Sequence, residues 1–478
     1  TVKGTTYHHL TIAGSGTATL GADTTLNGNL TISAGTLALS TLGFTVTGTS
    51  SITGTLLDTS VTGTNLFIGA VTLNNGSTWS TSGNPAFTFR GGLTVNSTST
   101  FGAGGGLYTF DTNAQTISGT QAFTIGYVAN NITTGNGLTF SSNNPTMITL
   151  TQGTNAVLTF SSTLPTITTL DATANGNTVQ YTSDSSQTTQ GLTYHHLTLS
   201  GAGTKTLGAD TTLNGNLTIS AGTLTFSTFD LTVTGTTSVT GTLDDDSATG
   251  VNIFVGAVTV NSGGTWSSSG NDGFTFRGGL TVNTASTFTS GTGIYKFNTN
   301  AQDIGGTQAY IITNLTNNVT TGNGLTFTTN NPTVTTLTQG TSAILTFSGT
   351  VPTITTLDTA LSPNTVQYTS TSDQTIFGTT YHHLSLSGAS TKALGANTIV
   401  NGNVTVASGT LDPTASYTLT GSGTNVLDVT GIIKVQHSTF AGTYPSFETV
   451  TLNTDSTVDY ALNGTQTIDN TFTYYNLT

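Results

Sequence analysis

One strict period of 187 residues runs through this 478-residue chain and limits what it can become. Tyr7-His8-His9-Leu10 returns as Tyr194-His195-His196-Leu197 and again as Tyr381-His382-His383-Leu384. Thr19–Leu37 recurs unchanged as Thr206–Leu224, and Phe87–Asn96 as Phe274–Asn283. The third copy keeps the pattern through Ala393–Leu411 and then diverges. It reaches a degenerate version of the opening, Tyr474-Tyr475-Asn476-Leu477, 93 residues after Tyr381. A repeat of this kind has to be read before any motif, because a missed repeat misassigns the fold.

A shorter period lies inside the long one. Leu138–Leu150 and Leu158–Leu170 match leucine for leucine at an offset of 20, and Leu325–Leu337 and Leu345–Leu357 do the same. About nine coils of ~20 residues therefore fill each long repeat, a solenoid period. Runs such as Leu197-Thr198-Leu199-Ser200 alternate apolar and hydroxyl residues, which puts the aliphatic groups on one strand face. Gly and Asn, as in Asn27-Gly28-Asn29, punctuate the runs as turns. A single coil buries almost nothing, whereas stacked coils share an apolar column. The expected fold is all-β, a right-handed parallel β-helix of about 20-residue coils. Roughly 23 coils at ~4.8 Å would give an elongated rod of about 110 Å. Its segments are 1–193, 194–380 and a partial, divergent 381–478, read as one continuous solenoid. A string of β-sandwiches is the rival, since half the long period approaches an immunoglobulin-like domain. Side-chain identity at an offset of 20, with no linkers, argues against it.

Composition narrows the function. Threonine is about a quarter of the chain, charged residues are 6%, and there is no cysteine. Disulfides and thiolate metal sites are thereby excluded. A net charge of −13 with seven Lys and Arg argues against nucleic acid, which needs clustered cations. No apolar run approaches the ~20 residues of a membrane span. The sequence starts inside a repeat, with no signal-peptide pattern in its first residues, so a mature piece or an excised segment is the expectation. Both ends lie in repeat without a polar cap, so the chain is expected to belong to a longer array or to stack end to end as a homopolymer.

Several residues invite a chemical reading. Adjacent histidines on a strand point to opposite faces, so one metal cannot take both. The expectation is that His8 or its equivalents fill an aromatic-sized slot at a coil corner. Asp244-Asp245-Asp246 is the densest charge cluster and reads as a solvated turn rather than a calcium loop. Arg90 and Arg277, the two arginines, each precede a Gly-Gly turn and read as corner residues. Glu448 is the only glutamate. With no acid–base pair at workable spacing, the chain reads as not an enzyme, without cofactor or metal. Trp79 and Trp266 leave two alternatives open: exposed rings stacking on sugars, or buried corner plugs. Sequons at Asn29, Asn75, Asn96, Asn131, Asn216, Asn314, Asn318, Asn403, Asn463 and Asn476 are candidate glycosylation acceptors.

The phrases Ser456-Thr457-Val458-Asp459-Tyr460, Thr465-Gln466-Thr467-Ile468, Tyr474-Tyr475-Asn476-Leu477-Thr478 and Asn29-Leu30-Thr31-Ile32 resemble a Thr/Gly-rich repeat of very large prokaryotic surface proteins. That repeat is similar to the β-helical shafts of filamentous-haemagglutinin-like adhesins and autotransporter passengers. The resemblance implies an extracellular, cell-surface location. It also implies a structural role in a filament, sheath or adhesin shaft, with copies of itself as partner. Two other readings are a carbohydrate- or host-binding adhesin recognising cell-surface glycans, and an ice-binding solenoid. The last requires Thr-x-Thr at one phase in every coil, and the sequence shows that motif drifting in phase.

Overall fold

Short strands of mostly three to five residues make up nearly the whole chain, and they are too short to be stable alone. In the computed structural model, which describes residues 1–142 and 144–478, they pair in parallel. The expected parallel β-solenoid is the observed fold, with about 22 turns at about 21-residue spacing. The chain divides into two compact units, Thr1–Thr225 and Phe226–Thr478.

In the first unit one ladder climbs from Leu10–Ile12 through Leu30–Ile32, Ser50–Ile52 and Val71–Leu73 to Leu93–Val95. Its register sets Ile12 beside Ile32, Ile32 beside Ile52, Ile52 beside Leu73 and Leu73 beside Val95. Ile32, Ile52, Leu73 and Val95 are wholly buried, while the threonines between the aliphatics stay at least partly exposed. Period-two alternation has produced one inward column and one outward hydroxyl row. The second unit repeats the device: Val258–Val260 pairs with Leu280–Val282, and Val404–Val406 with Val426–Val429.

Bulkier rings fill a stretch of the core in each unit. Phe67 and Phe89 stack at 5.7 Å, Phe89 and Phe110 at 5.3 Å, and Trp79 and Phe101 at 5.7 Å. Phe254–Phe276, Phe276–Phe297 and Trp266–Phe288 reproduce these in the second unit, at 5.7, 5.1 and 5.9 Å. Parallel in-register pairing sets like beside like, so the rings stack face to face with an offset.

Coil shape varies along each unit. Phe123–Asn131, Pro145–Gln152 and Thr166–Asp171 are long strands, as are Ile311–Asn318, Thr333–Gln339 and Ile354–Asp358. Elsewhere a corner breaks the same stretch into two short strands. The third copy departs further. One helical turn, Phe440–Thr443, capped by the Thr439 hydroxyl, stands where earlier coils carry a strand, and Phe440 packs on Phe472.

Phe89→Ala and Phe276→Ala each open a cavity inside a fully buried stack. Each is expected to destabilise its unit by about 3–5 kcal/mol, a loss that denaturant titration would read.

Candidate functional site

The histidine pairs prove to be clamps on the turns of the next coil. The imidazole Nδ1 of His9 accepts the backbone N–H of Asn29 at 2.8 Å; His196 and His383 accept those of Asn216 and Asn403 at 2.9 Å. The first histidine works through its main chain: the carbonyls of His195 and His382 accept from Gly215 and Gly402 at 2.7 Å. The ring lies so close that a Cβ on Gly28 would sit 2.6 Å from His9 Nδ1, and one on Gly215 2.5 Å from His196 Nδ1. The Asn-Gly-Asn turn therefore needs its glycine for space. An accepting Nδ1 carries no proton. Burial, with the neighbouring His195 and His382, pushes His196 and His383 below the usual histidine range, which suits that role. Nδ1 is thus engaged in holding the turn. Among the described residues no three His, Asp or Glu side chains gather into a metal-binding group.

Histidine does not fill the corner slot; tyrosine does. His195 and His382 stay partly exposed, whereas Tyr194 and Tyr381 are wholly buried. Each belongs to a closed ring of hydrogen bonds. The Gln190 N–H donates to the Tyr181 hydroxyl at 3.1 Å, the two tyrosine hydroxyls meet at 3.0 Å, and Tyr194 donates to the Gln190 carbonyl at 2.6 Å. Tyr368, Tyr381 and Phe377 form the same ring, as do Tyr460, Tyr474 and Asp469. The corner residue changes from Gln to Phe to Asp because only its backbone takes part. Burial pushes Tyr181 and Tyr368 up to about 12.

The acidic triplet is not a solvated turn throughout. Asp245 points inward from strand Thr242–Asp245 and is wholly buried. Its carboxylate accepts from Ser247 N and Asn252 Nδ2, both at 3.1 Å. Asp58 occupies the matching place, with Ser60 N at 2.8 Å and Asn65 Nδ2 at 2.7 Å. Asp246 is exposed and caps Ser227 N at 2.8 Å. Burial, with Asp272, Asp246 and Asp244 nearby, pushes Asp245 up to about 7.

Arg90 forms a two-point ion pair with Asp111, Nε to Oδ1 at 2.8 Å, joining adjacent coils at a half-exposed corner. Asn298 stands where Arg277 would find the matching acid. Sequence reading overlooked Lys205 and Lys392, which are wholly or almost wholly buried and donate to Ser183 O at 2.7 Å and Ser370 O at 2.8 Å. Burial lowers both ammonium groups against the pull of Asp184 and Asp373. The signal was present: in Thr204-Lys205-Thr206 the lysine holds the inward phase.

Trp79 and Trp266 have no exposed face, and they donate to Tyr108 and Tyr295 at 3.3 and 2.9 Å. Sugar stacking on them is thereby corrected to a packing role. Seven sequon asparagines are exposed: Asn29, Asn75, Asn131, Asn216, Asn403, Asn463 and Asn476; Asn96, Asn314 and Asn318 are half-buried. Hydroxyls do line up, with Thr17, Thr36, Thr55, Thr78 and Thr100 in register. Their second column, however, reads Thr19, Ala38, Leu57, Ser80 and Gly102, so a two-column Thr-x-Thr face ends after one coil.

Tyr194→Phe strands the Gln190 carbonyl and is expected to cost about 1–3 kcal/mol, read by thermal unfolding against Tyr7→Phe at the half-exposed equivalent. Asp245 binds its proton more tightly folded than unfolded. Its contribution is complete below about pH 4 and is lost as pH rises to about 7. Asp245→Asn should lack that decline, so the wild-type minus variant difference in melting temperature should fall across that window. His196 and His383 act oppositely, losing their contribution as pH falls below the ordinary histidine range. No family model, curated protein or solved structure matches this chain.

Proposed function

We propose that this chain is a structural module of an extracellular filament, sheath or adhesin shaft. One observation carries the reading: polar and aromatic groups of the kinds that serve chemistry in other proteins here join one coil to the next. The histidines clamp turns. The tyrosines close corners. The tryptophans fill the core. Coils built this way recur at matching places one 187-residue period on, which suits a spacer whose length is its property. The Thr/Gly-rich resemblance supports the same reading and implies a cell-surface location, with copies of itself as neighbours.

Electron microscopy of the purified chain tests this. Thin elongated particles or filaments are expected. Excising residues 194–380, one full period, should leave a folded protein shorter by about 43 Å, at ~4.8 Å per coil. Compact globules, or loss of folding on excision in register, would overturn the shaft reading.

A further inference from the structure

This chain has seven Lys and Arg against twenty Asp and Glu. Arg90 and Lys434 are neutralised by Asp111 and Asp412, and Lys205 and Lys392 are buried against main-chain carbonyls. Lys3 lies by itself in the first coil. Arg277 and Lys296 remain, and the fold brings them together. In register Thr275 lies beside Lys296, so Arg277, two residues on and at the same outward phase, is the diagonal neighbour of Lys296. Such diagonal partners sit ~7–8 Å apart, within reach of long side chains. Among the described residues neither cation has an ion pair, and even the covered Nε of Arg277 has no acceptor.

The first unit shows the closed alternative. There Arg90 holds Asp111 at 2.8 Å, and Thr109 stands beside Thr88. One period on, Asn298 replaces Asp111 and Lys296 replaces Thr109. A carboxylate is removed and an ammonium added on the same face. Asn298 has its Oδ1 taken by the Thr299 hydroxyl at 3.1 Å, which leaves Nδ2 as a third donor beside the two cations. Two acids lie in these coils, and neither closes the gap. Asp272 is turned to the Gly250 N–H at 2.6 Å, and Asp303 stands across the Gly278–Gly279 corner without an ion pair. Beside Lys296 the same face opens a notch of about 230 Å³, where Gly273 leaves a gap between Val251 and Ile294, both more than half exposed.

We propose that Arg277, Lys296 and Asn298 bind the carboxylate of an acidic sugar within an otherwise neutral glycan, whose ring lies on Val251 and Ile294. A guanidinium meets a carboxylate at two points, and an ammonium beside it adds charge without a fixed direction. The aliphatic walls take the C–H face of the sugar ring. Strands Gly273–Phe276 and Ile294–Asn298 are paired along both edges, so an extended peptide finds no backbone groups to join there. A chain of net charge −13 repels a polyanion, which favours a ligand with one carboxylate over a nucleic acid or a uniformly charged polymer. The site adds recognition to one stretch of the solenoid and does not depend on how the rod assembles.

Calorimetric titration of the full chain at low salt with cellobiouronic acid, a glucuronate–glucose disaccharide, tests the proposal. One saturable site per chain is expected, weakening as salt is added. Cellobiose, which differs only in lacking the carboxylate, should bind at least ~10-fold more weakly, a loss of about 1.4 kcal/mol. N298D restores the acid of the first unit and closes Arg277 into the pair that Arg90 makes; K296T restores the first unit's threonine. Each variant carries a residue that the matching coil already tolerates, so each should keep its melting temperature and lose at least ~10-fold in affinity. No saturable binding, equal binding of cellobiose, or undiminished binding by N298D would overturn the site. Acetate binding as tightly as the disaccharide would overturn the sugar assignment and leave a bare anion site. An end-blocked Gly-Asp-Gly peptide binding more tightly than the disaccharide would overturn it too, in favour of an acidic protein segment.

Discussion

Nearly every strand here depends on hydrogen bonds to the coil before or the coil after it, and most on both. A run such as Leu30-Thr31-Ile32 has no partner within its own coil; its backbone is satisfied by Leu10–Ile12 below and Ser50–Ile52 above. Unpaired peptide groups are costly once buried, so a coil is stable only as part of a stack. The stacking then aligns like with like. Isoleucine falls beside isoleucine and phenylalanine beside phenylalanine, and the core becomes a column. Low charge is tolerable in such a molecule because the outward positions are hydroxyls, which hydrate without repelling their neighbours 20-odd residues away.

Corners are where this arrangement would fail. Between strands the backbone turns, and its peptide groups leave the ladder. The chain meets this with a few side-chain devices used at equivalent places. Gln115 and Gln302 accept from Gly92 N and Gly279 N at 3.0 Å and donate to the Phe89 and Phe276 carbonyls. Lys205 and Lys392 donate to main-chain carbonyls inside the stack. The tyrosine rings satisfy both groups of one corner residue at once. A buried polar group with all its partners supplied is nearly neutral in stability but strongly specifies one geometry. These devices therefore fix where the chain turns, and so which coil sits on which.

Fold and period were legible because both follow from spacing. A 20-residue offset with two-residue alternation admits few three-dimensional solutions. Direction along the strand was legible too: inward and outward phases of Leu, Ile and Thr fall as alternation requires. What spacing could not reveal was which partner a polar residue meets in the next coil. Nothing in the sequence marks His9 as a clamp on a turn, because its partner, the N–H of Asn29, is a main-chain group 20 residues on. Asp245 looked solvated because two acids flank it; alternation turns only the middle one inward, to Ser247 and Asn252. The tryptophans were undecidable for a similar reason. Trp79 and Trp266 sit at an inward phase, yet their matching hydroxyls, Tyr108 and Tyr295, lie 29 residues away.

The differences between copies carry information that the identities do not. In the middle of the aromatic stack, at Phe89 and Phe276, the copies agree. At corners they part: Asp111 becomes Asn298 and Gln190 becomes Phe377. A stack tolerates change outside its column because each coil touches only its neighbours. Yet Gln190 and Phe377 present the same backbone to the same tyrosine ring. Architecture is held by the main chain at that corner, which leaves the side chain free to differ. Any property that distinguishes one length of this solenoid from another must therefore be written at such positions, on corners and strand edges, rather than in the aliphatic column.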